Sequence, residues 1–117
     1  MDRQGTFRVR FEGLGVAEAN RAAIDLQTII ARAAAGKVQT EIQKDRGDTQ
    51  DFGATLVLVL GTEAVVTIAK AIHSYMSKRG DRVVIETSGG TVIATGAGAA
   101  GIDVAATATA MRLHIDA

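Results

Sequence analysis

Between Asp48 and Gly90 the chain passes from an almost uncharged apolar block into an amphipathic segment, a basic end and a short hairpin pattern, and this stretch constrains the fold more than any other. Thr55 to Leu60 is a continuous apolar run, a pattern shared by buried strands and buried helices. The apolar character continues through Val65, Val66, Ile68, Ala69, Ile72 and Met76 at intervals of three and four residues, up to a stop at Lys78-Arg79-Gly80. That continuity favours helix over 52–78, either one bent helix or two in tandem, with Gly61-Thr62-Glu63 as the kink or break and Thr62 as a cap. The stretch reads as a packing and docking element, and none of its polar residues forms a catalytic constellation.

The flanking sequence supplies a sheet. Thr6 to Glu12 alternates, with Phe7, Val9 and Phe11 on one face and Arg8, Arg10 and Glu12 on the other, the mark of a half-buried strand. After Gly13-Leu14-Gly15, the segment Val16 to Ala35 sets Ala19, Ala23, Leu26, Ile30 and Ala33 at helical spacing opposite Glu18, Arg21, Asp25 and Arg32, and Gly36 closes it. Lys37 to Lys44 alternates again, with Val38, Thr40 and Ile42 facing in. Arg82 to Thr87 and Thr91 to Thr95 are β-rich runs separated by Ser88-Gly89-Gly90, a hairpin signal. Ile102 to Ile115 is Ala-rich and compatible with a terminal helix capped by Asp103. The expected fold is therefore a single α+β domain over 1–117. Its small sheet runs β-α-β, then an apolar helix or helix pair, then a β-hairpin, with helices packed on one face and a C-terminal helix beyond a Gly/Ala-rich linker.

Composition removes several function classes. With 117 residues and 47% apolar content the chain can bury a core without staples. Its 13 basic and 13 acidic residues cancel, so the charge surplus that drives nucleic-acid or anionic-membrane binding is missing. Four aromatics, Phe7, Phe11, Phe52 and Tyr75, give no base-stacking platform. There is no cysteine, which excludes disulfides and thiolate chemistry and fits a reducing cytoplasm. No apolar run follows the charged N-terminus, so no secretory signal is expected.

The motifs that resemble chemical sites are weak on inspection. Gly96-Ala97-Gly98-Ala99-Ala100-Gly101 is a literal G-x-G-x-x-G after a strand, which in a dinucleotide fold would bring backbone to a pyrophosphate. The following strand and its acidic residue, about 20 positions on, have no room in the remaining sequence, so a Gly/Ala linker is the expected role. Gly13-Leu14-Gly15 lacks a third glycine. His73 and His114 have no histidine or carboxylate partners at helical spacing, and Asp45, Asp48 and Asp51 lack the alternation and closing glutamate of a calcium loop. Ser74, Ser77 and Ser88 have no nucleophile context. Catalytic residues, cofactor and metal are all expected to be absent. Gly53 to Ala69 is at the short end for a membrane span and contains Glu63, a charge costing about 3 kcal/mol on insertion scales; a buried core helix is the better expectation.

With these elements in order, the chain resembles the effector-associated constant component family. The likeness is carried by the strand Phe7 to Phe11, the strand Val38 to Ile42, and Asp48-x-x-Asp51-Phe52-Gly53 leading into Leu56-Val57-Leu58-Val59-Leu60-Gly61. It continues in Ala64 through Arg79, with an aromatic before a basic helix end, and in Val83-Val84-Ile85-Glu86 and Gly90-Thr91-Val92-Ile93; it spans 6–96. Tyr75 stands where the family often carries tryptophan, and the tail after Thr95 departs from it. The resemblance implies a non-enzymatic cytoplasmic adaptor in a bacterial NTP-dependent defence or conflict system. Its implied partners are an effector, such as a protease or caspase-like peptidase, or an NTPase of the same system.

Core and interface must both be drawn from Val57, Leu60, Val65, Ile68, Ile72, Tyr75 and Met76. An interface anchor is an aromatic or large aliphatic side chain ringed by charge, which selects Tyr75 with Lys78 and Arg79, although Tyr75 could equally close the core. The rival classes are a nucleotide or small-molecule domain using Gly96 to Gly101, and a self-assembling or membrane-associated component using 53–76.

Overall fold

The alternating segment at the N-terminus becomes β1 (Gln4–Glu12), and it lies at the centre of the sheet. In the computed structural model, which describes residues 3–43, 54–79, 82–97 and 103–116, Phe7, Val9 and Phe11 are buried under helices while Arg8 is exposed. The chain continues through α1 (Val16–Ala33), β2 (Val38–Gln43), β3 (Thr55–Gly61), a 3-10 turn (Thr62–Ala64), α2 (Val65–Arg79), β4 (Arg82–Thr87), β5 (Val92–Ala97) and α3 (Val104–Asp116). The five strands run in the order β2-β3-β1-β4-β5, every neighbour antiparallel. Up to β4 this is the connectivity of the ferredoxin-like fold, two split β-α-β units, to which β5 and α3 are added. The fold is α+β, a small sheet with its helices packed on one face and a C-terminal helix.

Register explains which residues build the core. Leu56, Leu58 and Leu60 stand opposite Val9, Phe7 and Gly5, while Ile85 and Val83 stand opposite Val9 and Phe11. All point to the helix face and join Leu26, Ile30, Ile68, Ile72, Met76 and Met111 in one cluster. Val57 and Val84 lie on the other face, outside that cluster, yet only 7% and 5% exposed. The register sets Arg8 beside Val57 and Arg10 beside Val84, the placement in which arginine stems shield neighbouring apolar surface. Arg10 also bridges to Glu86 at 3.1 Å.

The helical reading of Thr55 to Leu60 is overturned: the run is β3, and helix begins only after Gly61. β3 is an interior strand between β2 and β1, and its outward residues Val57 and Val59 are apolar like the leucines that face the helices, so the two-residue alternation that identifies a half-buried strand is erased. Thr62 is not a side-chain cap either. It is the first residue of the 3-10 turn, preceded by Gly61 in extended conformation.

Other expectations hold with small shifts. α1 buries Ala19, Ala23, Leu26 and Ile30, but Ala33 is exposed. The helix ends there, and Ala34, at φ −119 and ψ 44, turns into the core instead. The hairpin forms: Gly90 takes φ +90, its N–H donates to the Thr87 carbonyl at 2.9 Å, and the Thr87 N–H donates to Thr91 at 2.8 Å. A three-residue loop of this kind needs a left-handed residue at its end, and glycine supplies it without strain. Asp103 caps α3 through its Oδ1, which accepts the Ala106 N–H at 3.0 Å.

A groove between the first two helices as the candidate functional site

α1 and α2 pack side by side over the sheet, and the seam between them is not filled along its whole length. Tyr75, Lys78 and Arg79 follow one another at helical spacing on α2, and α1 brings Asp25, Thr28 and Ile29 opposite them. The six residues line a groove of about 410 Å³. The three site residues expected from the sequence are thus brought together, and their surroundings come from a second element.

Tyr75 is 8% exposed and belongs to the core cluster, so it forms the floor of the groove more than a projecting anchor. The Arg79 guanidinium lies over its ring, 5.5 Å from the centroid, in the geometry of a cation–π contact. Lys78 is exposed at the rim. The projecting apolar side chain is Ile29, 38% exposed on the opposite wall. Thr28 donates its hydroxyl to the Ile24 carbonyl at 3.1 Å, which satisfies it within its own helix. The groove combines an aromatic floor, an aliphatic wall and a rim carrying Asp25, Lys78 and Arg79. It can bind an apolar side chain and orient charged neighbours, and it contains no nucleophile and base in contact.

Sequence reasoning did not find Asp25, Thr28 and Ile29. One signal was present: Ile29, like Ile24, falls off the stripe formed by Ala19, Ala23, Leu26 and Ile30, and is an apolar residue left on the polar side of α1. Of the apolar positions shared between core and interface, Leu60, Val65, Ile68, Ile72 and Met76 are fully buried in the core, and Val57 lies on the open sheet face.

The remaining candidates fall elsewhere. Gly96 and Ala97 lie within β5, opposite Val83 and Arg82, as strand residues, and 98–101, like Asp45, Asp48 and Asp51, lie outside the described residues. His114 packs against Phe7, ring centroids 5.3 Å apart in an edge-to-face pair, and His73 is half-buried on α2. The Ser77 hydroxyl donates to the Ser74 carbonyl at 2.8 Å. Among the described residues no group of three His, Asp or Glu is placed to hold a metal ion, and no helix is long and apolar enough to cross a membrane. A larger, polar cleft of about 530 Å³ opens where β1 and β2 begin, lined by Arg3, Lys37, Glu63 and Asp116 among others. There Arg3 Nη1 donates to the Asp116 carbonyl at 2.8 Å, and charges of both signs alternate around exposed side chains. No family model, no curated protein and no solved structure matches the chain.

Proposed function

We propose that this protein is a non-enzymatic adaptor that docks through the α1–α2 groove. Its partner is an effector, such as a protease or caspase-like peptidase, or an NTPase of the same cytoplasmic bacterial conflict system. The observation that carries the reading is the meeting of Tyr75 and Ile29 as an apolar centre with Asp25, Lys78 and Arg79 at its rim. An apolar centre with a charged rim is the anatomy of a protein-docking patch. The resemblance of 6–96 to the effector-associated constant component family supplies the class of partner.

The test is crosslinked capture from the native host, comparing the tagged wild-type chain with Ile29→Glu. Ile29 is 38% exposed and lies outside the core cluster, so a carboxylate there leaves that cluster in place while putting a charge on the wall of the groove. Recovery of a protease-like effector or an NTPase with the wild type, and its loss with a folded Ile29→Glu, is the expected result. Equal recovery with both chains would remove the groove from the interface.

A further inference from the structure

Resting on that docking reading, we infer that the α1–α2 groove is built for an acidic partner segment that presents a large apolar side chain beside Asp or Glu. The argument is one of charge placement. The chain as a whole has no net charge. Yet the outer surfaces of α1 and α2 carry Arg21, Arg32, Lys70, Lys78 and Arg79 against only Glu18 and Asp25, all of them exposed. Two of the basic residues, Lys78 and Arg79 at the end of α2, line the groove itself, against Asp25 as the one acid there. A neutral protein that concentrates cations around its apolar groove creates a local positive potential there, and such fields steer and orient partners of opposite sign.

Two features favour a peptide over a phosphate backbone or an anionic lipid surface. The floor of the groove is Tyr75, and its ring face is already covered by Arg79, so it offers no platform for stacking bases. Asp25 stands within the same groove, where its carboxylate can accept a backbone N–H from a peptide, a donor that phosphate groups lack. Ile29 provides the wall against which an aliphatic or aromatic knob packs.

The test uses the full chain, labelled for amide NMR, and a synthetic peptide of alternating Asp and Glu around a central Leu-Phe pair. Matched probes are the same peptide with Lys in place of every acid, a thymidine oligonucleotide and phosphatidylserine vesicles. The acidic peptide is expected to shift amides of 25–29 and 75–79. Its affinity should fall by about fivefold or more in the Lys78→Glu variant, which reverses an exposed groove-lining charge and leaves Tyr75 and Arg79 in place. It should fall again between about 0.1 M and 1 M NaCl, where the screening length drops from roughly 10 Å to 3 Å. Equal binding of the lysine peptide, tighter binding of the oligonucleotide or vesicles, or shifts confined to other elements would overturn the inference. If Ile29→Glu abolishes capture of the native partner and Lys78→Glu does not, docking through the groove stands and the acidic character of the partner falls.

Discussion

Replacing Gly5 by alanine tests how closely α3 approaches the sheet. A Cβ built at Gly5 would lie 2.8 Å from Ile115 Cγ1 and 3.1 Å from Cε2 and Cζ of Phe7. Gly5 sits inside β1 opposite Leu60, and both Phe7 and Ile115 are buried, so none of the three can move freely. Two effects oppose each other. Alanine in a strand interior loses less backbone entropy on folding than glycine and gains roughly 0.5–1 kcal/mol. The methyl group overpacks the contact, and overpacking in a filled core costs about 1–3 kcal/mol. The clash wins because its nearest atom belongs to the branched side chain that anchors the end of α3. The expected net loss is about 1–2 kcal/mol, a fall in Tm of roughly 3–8 °C for a domain of this size. Urea and thermal unfolding followed by circular dichroism measure it. Combining the change with Ile115→Ala, which removes Cγ1, should give a double variant less destabilised than the sum of the two single ones. A rise in Tm for Gly5→Ala, or strict additivity of the pair, would refute the packing argument.

Leu58, fully buried on the helix face of β3, should lose about 2–5 kcal/mol on truncation to alanine, enough in chemical denaturation to remove much of the stability of a typical domain. Asp103→Ala removes the Oδ1 acceptor at the start of α3, and a loss of about 1 kcal/mol is expected by urea titration, with Asp103→Asn retaining most of it. For Arg10 and Glu86, bridged at 3.1 Å on a partly exposed face, a double-mutant cycle should give a coupling of about 0.5–1 kcal/mol that shrinks in high salt; a salt-independent coupling would show that the pair acts by packing alone.

How much was legible in the sequence depended on whether an element has two different faces. β1 was readable because Phe7, Val9 and Phe11 alternate with Arg8, Arg10 and Glu12, and α1 because its apolar stripe is opposed by charge. The hairpin was readable from Ser88-Gly89-Gly90, since turn chemistry is local. β3 was not, because an interior strand with Val57 shielded on one face and leucines on the other presents no polar residue to betray its period. At the site, Tyr75, Lys78 and Arg79 were found together because a helix brings such spacings to one surface. Their partners Asp25 and Ile29 are some fifty residues away in sequence, and only the docking of α1 against α2 joins them. The burial of Tyr75 beneath Arg79 follows from that same docking, which a linear pattern does not contain.

The central place of β1 also sets how the chain folds. Phe7 pairs with Leu58 on one side and Thr87 on the other, so β1 is completed by strands that follow it by 51 and 80 residues. Loop closure over such separations must precede any gain from pairing, and domains dominated by distant contacts fold slowly for that reason. During synthesis β1 keeps both hydrogen-bonding edges open until β3 and β4 emerge, and an unpaired apolar strand is a template for association with other chains. α1, which follows β1 directly in the chain, is the first element able to cover its apolar face.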